Sequence, residues 1–192
     1  MFRKTAALLL ALMLCLAAGL AAADNYTQYS WIYGTANRRV ATRTGPGTQY
    51  DEPGSFNQAG AGYSILSKAY DQRNGIWWVQ IEIPTRDGVI WAYTGVKRFN
   101  NLNLNAIMEE KVIGRCRTAY DMTGYYAPGY DACPISLSVP AGVECTIYGY
   151  YAPGDESSDF IQIEFYDSRI KQYRRAWVPD PFVDDYEMYY GF

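Results

Sequence analysis

The sequence predicts an all-β protein built from two small, similar units that follow an N-terminal signal peptide. Three observations carry this. Short runs of alternating apolar and polar residues are separated by Gly, Pro, Asn and Asp turns, and no convincing long amphipathic helix appears. The same short blocks occur twice in the same order, as tandem units do. The first residues have a composition unlike the rest, as targeting segments do.

Arg3 and Lys4 form a positive start, and an uncharged Leu- and Ala-rich run follows from Thr5 to Ala23. It closes on the small residues Ala21-Ala22-Ala23, so residues 1–23 read as a signal peptide, with an uncleaved anchor as the alternative. After cleavage no long apolar run remains to span a membrane. The expected location is secreted, in the cell envelope.

The chain has 192 residues, 17 basic and 20 acidic, a formal net charge of -3. That balance lacks the basic field of a nucleic-acid binder. Histidine is absent, which removes His-based triads, Cys-His proteases and His-ligated zinc. Aromatics make up 16% of the chain and Tyr alone numbers 19, a composition that folds. No paired catalytic carboxylates, phosphate loop or nucleophile elbow appears, and Asp155-Glu156 with Asp159 lacks calcium-loop spacing. The expectation is no enzyme, no cofactor and no metal.

The first unit spans residues 24–99. Ile76 to Ile83 alternates, with Trp77, Val79, Ile81 and Ile83 on one face and Trp78, Gln80 and Glu82 on the other. A turn at Pro84–Gly88 joins it to Val89–Tyr93, making a hairpin. Gly62–Tyr70 is another strand, and Arg39–Thr44 a short one running into Gly45-Pro46-Gly47. The Asn-rich stretch opens a linker, 100–110, with room for one weak helical turn. The second unit spans 111–183 and an acidic, aromatic tail spans 184–192.

Five blocks of the second unit align with the first. Cys116-Arg117-Thr118 aligns with Thr42-Arg43-Thr44, Tyr130-Asp131 with Tyr50-Asp51, and Ala141–Cys145 with Ala61–Ile65. Phe160–Glu164 aligns with Trp78–Glu82, and Ala176-Trp177-Val178 with Ile90-Trp91-Ala92. Each unit reads as about five short strands, and closing such a sheet would hide its edges.

Thr42-Arg43-Thr44-Gly45-Pro46-Gly47-Thr48-Gln49-Tyr50 resembles the x-R-x-G-P-G-x-x-Y signature of bacterial SH3 (SH3b) domains. Trp78-Val79-Gln80-Ile81 and Gly88-Val89-Ile90-Trp91-Ala92 resemble the later strands of that family. The resemblance covers about residues 37–99; the second unit is a divergent copy without G-P-G after Arg117. It implies two tandem SH3-like small β-barrels. It also implies non-catalytic recognition of cell-wall peptidoglycan or an envelope protein or peptide. The alternative is a structural adaptor or oligomerising protein with no small ligand.

Candidate ligand-binding residues follow. Trp78 points away from the Val79 face, as an outward platform or a cap, and Arg43 contacts a ligand or salt-bridges its loop. Tyr50 belongs to the signature, and Trp91 serves groove or core. Gly124-Tyr125-Tyr126-Ala127-Pro128-Gly129 recurs as Gly149-Tyr150-Tyr151-Ala152-Pro153-Gly154. By the alignment these doublets fall in two loops that face each other across the family's groove, with Phe160 and Trp177 at its base. Tyr rings in that arrangement suit extended peptides or sugars; the competing reading is that they stiffen the loops or cover the other unit. Cys15 leaves with the signal, so Cys116, Cys133 and Cys145 remain, with three possible pairings. The alignment with the first unit sets Cys116 against Thr42, Cys133 against Pro53 and Cys145 against Ile65, so the expected bridge is Cys116–Cys133, closing the long loop of the second unit and leaving Cys145 as a buried thiol.

Overall fold

The computed structural model describes residues 29–54, 59–129, 131–135, 138–152, 159–180 and 183–188. Residues 1–23, read above as a signal peptide, Tyr130, Pro153-Gly154, Asp155-Glu156 and the end of the tail lie outside the described residues.

The fold is all-β. β1 (Ile32–Thr35), β2 (Gly62–Asp71), β3 (Ile76–Thr85) and β4 (Gly88–Gly95) form an antiparallel sheet in the order β1-β2-β3-β4. β5 (Gly114–Thr118), β6 (Glu144–Tyr151), β7 (Phe160–Asp167), β8 (Gln172–Pro179) and β9 (Val183–Met188) form a second, ordered β8-β7-β6-β5-β9. The long strands grow from the alternating runs. In β3, Val79, Ile81 and Ile83 face the first core with Ile65, Ile90 and Phe99. In β7, Ile161, Ile163 and Phe165 face the second with Ile147, Ala176 and Val178.

After β1 the chain of the first sheet crosses back to its far side. Ala36 bridges Phe99, and Arg43 exchanges two backbone hydrogen bonds with Tyr93 of β4, each 2.8 Å. The acidic tail begins as β9, which pairs with β5. Residues 100–110, read as a linker, form a strap along β2. Its one helical turn is a 3₁₀ turn at Leu104–Ala106, Ile107 enters the first core, and Lys68 bonds to Met108 and Glu110 through the backbone.

The register reveals an ungapped duplication. Residue n of the first half corresponds to residue n + 82 of the second. Ile65 pairs with Ile81, and Ile147 with Ile163; Ile32 pairs with Ile65, and Gly114 with Ile147. The β-bulge between Ile65 and Ser67 recurs between Ile147 and Gly149. Thr44 donates to the Asp51 carbonyl and Tyr126 to the Cys133 carbonyl, both at 2.9 Å. The offset grows only at the β7–β8 turn, which is two residues longer, so Tyr93 corresponds to Trp177 and Trp91 to Arg175.

This register corrects the block alignment at four of its five blocks. Phe160–Glu164 does match Trp78–Glu82. The counterpart of Ile65, however, is Ile147 rather than Cys145, and that of Arg43 is Tyr125 rather than Arg117. Tyr50-Asp51 corresponds to Ala132-Cys133. The counterpart of Gly45-Pro46-Gly47 is therefore Ala127-Pro128-Gly129. Identity misled because substitution at matched strand positions erased it, while short blocks matched by chance two residues away, or eight for Cys116-Arg117-Thr118.

The expected Cys116–Cys133 bridge is not formed: all three described cysteines are free thiols. Cys133 is carried across the seam into the first core, where its sulfur lies 3.4 Å from Thr85 Oγ1. Cys116 stays in the second core and stands directly opposite Cys145.

The two sheets share a third core. Leu66, Trp91, Ala127, Ala132, Phe160 and Trp177 pack together, with Tyr29, Tyr125 and Tyr151 against them. Docking is reciprocal. The 126–133 loop of the second half pairs with β4 through Trp91 N–H to Tyr126 O (3.1 Å) and Cys133 N–H to Val89 O (3.2 Å). The matching 44–51 loop of the first half reaches β8 through Asp51, which accepts from Arg174 Nε at 2.5 Å.

Candidate functional site

Two places collect polar and aromatic groups. The first is a groove of about 550 Å³ in the first half, between the β2–β3 turn, the Arg38–Arg43 crossing segment and the 3₁₀ turn Val96–Arg98 that follows β4. Ile76, Trp77, Trp78 and Val96 give it an apolar lining, and Arg38, Arg43, Lys97 and Arg98 supply four cations. Among the described residues no acidic side chain lines it. The nearest counter-charge is Glu52, 2.6 Å from Arg43 Nη1.

Each wall follows from local structure. Trp77 and Trp78 are successive residues of β3, so their side chains leave opposite faces. Both border the groove because it wraps the end of the strand. Trp78 packs on Ala69 and Tyr93 with only 6% of its surface exposed. Its indole N–H and the Arg43 Nε–H find no acceptor among the described residues. A buried donor without a partner costs about 1–3 kcal/mol, which an incoming acceptor would recover. Trp77 is half-buried; Tyr70 packs on it with ring centroids 5.1 Å apart, and Lys68 Nζ lies 5.1 Å from its ring.

The second place is a polar crevice of about 600 Å³ along the seam. Arg175 sits at its floor, almost fully buried. It donates through Nη1 to Glu110 at 2.5 Å and through Nε to Glu164 at 2.7 Å, and its guanidinium lies 3.8 Å from the Tyr148 ring centroid. Tyr50 donates to Glu164 at 2.5 Å, and the buried Tyr93 hydroxyl donates to Glu110. Burial alone would lower the Arg175 guanidinium; Glu110, Tyr93 and Glu164 outweigh it and hold Arg175 above its usual range. Burial pushes the Tyr50 and Tyr93 phenols up, so both remain protonated donors. These charges satisfy one another, which makes the crevice a clasp between the halves.

The structure separates the candidate residues named from sequence. Arg43 and Trp78 meet in the groove. Tyr50 lies in the clasp. Trp91, Phe160 and Trp177 are buried in the shared core, with Tyr125 and Tyr151 against it. Tyr126 packs between the first and second cores, and Tyr150 donates to Asp159. The four doublet tyrosines therefore lie along and around the seam. Trp77, Arg38, Lys97 and Arg98 were missed. Strand alternation assigns Trp77 to the core face, but it stands at the strand end, past the core's edge. The Arg38-Arg39 and Lys97-Arg98 doublets were visible signals that only the fold brings together.

What the fold and groove define is an all-β protein of two duplicated antiparallel sheets with one cationic, Trp-lined groove among the described residues. The chain matches no protein-family model, no curated protein and no solved structure.

Proposed function

We propose that this is an exported, non-catalytic binding protein made of two SH3-like units, recognising cell-wall peptidoglycan or an envelope protein or peptide. The observation that carries this reading is the groove: two Trp side chains with four cations and, among the described residues, one ion-paired carboxylate, Glu52. Indole faces accept the flat apolar sides of sugars or peptide planes. Arg38, Lys97 and Arg98, which have no ion-pair partner among the described residues, favour carboxylates, which the stem peptides of the wall and acidic protein segments both carry. The resemblance at Arg43–Tyr50 points the same way, and Arg43 and Thr48 of this segment line the groove.

A second reading, a structural adaptor with no small ligand, draws on the shared core, because Trp91, Phe160 and Trp177 are consumed in joining the halves. Co-sedimentation with purified cell walls separates the two. The full chain pellets with the walls under the first reading, and a Trp77→Ala variant of unchanged Tm stays in solution. Equal pelleting of the variant would remove the groove from the mechanism. Failure of the native chain to pellet with walls or bind envelope extracts would leave the adaptor.

A further inference from the structure

We propose that Cys116 and Cys145 are a dithiol–disulfide site, and that its oxidation clips β5 to β6 and locks the arm by which the second half grips the first. The two residues are direct partners on antiparallel strands. Such partners lie about 4.5–5.5 Å apart at Cα, inside the span of about 4.4–6.8 Å that a disulfide bridges. Both are buried in the second core, and Cys145 Sγ donates to the Val143 carbonyl at 3.4 Å. Facing thiols on paired strands need only side-chain rotation to join.

Two further features favour the site. The pairing of β5 with β9 shifts register between Arg115 and Arg117, so Cys116 sits at an irregularity where the strand can adjust. A cavity of about 220 Å³ lies against the pair, lined also by Arg115, Arg117 and Glu144. It gives a small reagent an approach to the two sulfurs. Cys133 takes no part, since it is held in the first core beside Thr85. The fold thus sorts an odd set of cysteines into one pair and one single thiol.

The co-reactant is a small disulfide or an oxidised dithiol protein. One cysteine, as thiolate, attacks a sulfur of that disulfide and expels one donor thiolate, forming a mixed disulfide. The second cysteine, as thiolate, attacks the protein sulfur of that bond and expels the other donor thiolate. The protein loses two protons and two electrons; the donor gains both and leaves as two thiols. The facing Cys116 thiol, with burial, holds the Cys145 thiol above its usual range, so exchange quickens as pH rises.

The consequence follows from what the bridge encloses. Between Cys116 and Cys145 runs the arm whose Tyr126 and Cys133 hydrogen-bond to Trp91 and Val89 of the first sheet. Closing that loop restricts the unfolded chain and stabilises the docked arm.

The test is a redox titration of the full chain in glutathione buffers from fully reduced to fully oxidised, read by intact mass and non-reducing peptide mapping. The expected result is loss of two hydrogens, a Cys116–Cys145 linked peptide, a Tm raised by several degrees and faster oxidation at pH 9 than at pH 7. Cys133→Ala retains all of these, and Cys145→Ala abolishes the linked peptide and the Tm shift. A bridge to Cys133, or Cys116 and Cys145 both remaining open to alkylation throughout, would overturn the proposal. The wild-type map decides this even if a variant fails to fold.

Discussion

Trp91 and Arg175 occupy the same position in the two halves and make the same bond. Trp91 stands opposite Glu82 and donates its indole Nε1–H to Glu82 Oε2 at 3.1 Å; Arg175 stands opposite Glu164 and donates Nε–H to Glu164 Oε2 at 2.7 Å. One duplicated donor–carboxylate pair has become an aromatic anchor on one side of the seam and a charged clasp on the other. The asymmetry ties the halves together while leaving each sheet's register intact.

The clasp predicts a steep, rescuable loss of stability. Arg175→Met leaves Glu110 and Glu164 facing a buried site with no cation, and removing one partner of a buried pair costs about 3–5 kcal/mol. Urea unfolding of the single variant measures this. Adding Glu110→Gln and Glu164→Gln should restore most of the loss; a triple variant no more stable than the single would refute the account.

The shared core predicts that both halves unfold together. Trp177 is 1% exposed, and its replacement by Ala should cost about 3–5 kcal/mol. Fluorescence and circular dichroism should report one coincident urea transition for the native chain and an earlier, still coincident one for Trp177→Ala. Two separated transitions in the native chain would show that the seam does not couple the sheets.

Gly88 predicts a backbone effect at the seam. Its φ is +130°, and a Cβ there would run into the Asp131 carbonyl oxygen of the docking arm. Gly88→Ala should destabilise by about 1–3 kcal/mol from the backbone conformation alone, with the lost arm contact in addition. Hydrogen exchange should show loss of protection at Trp91 and Cys133 ahead of the sheet interiors.

Asp180 predicts a pH-dependent gain. Burial, then the neighbouring Asp159, raise its carboxyl above the usual range. A raised folded pKa means the ionised form is disfavoured in the native state, so the group's contribution is best below about pH 4, its unfolded value, and is lost as pH rises through the folded one. Asp180→Asn should therefore raise Tm at pH 7 and leave it unchanged near pH 3. An equal shift at both pH values would contradict the electrostatic origin.

The groove predicts salt-sensitive binding. Lys97 is exposed and lines it, so Lys97→Glu should leave Tm nearly unchanged while weakening wall binding at low salt, with the difference narrowing as salt screens the charges. Equal binding by both proteins at low salt would show that cations do not select the ligand.

Some of this was written in the chain and some was not. The alternation of Val79, Ile81 and Ile83 and its echo in Ile161, Ile163 and Phe165 determined two antiparallel sheets, because period-two patterning is a local property that survives in any packing. The turn residues between those runs likewise located the hairpins. The tertiary structure alone decided which residues correspond, since register is set by hydrogen bonds across strands and not by identity along them. It also decided that Tyr125, Tyr151 and Trp177 serve the seam, that Trp77 serves a groove, and that Cys116 faces Cys145. A side chain's alternation tells which face it takes; only the opposing surface tells whether that face meets solvent, a partner half or a second thiol.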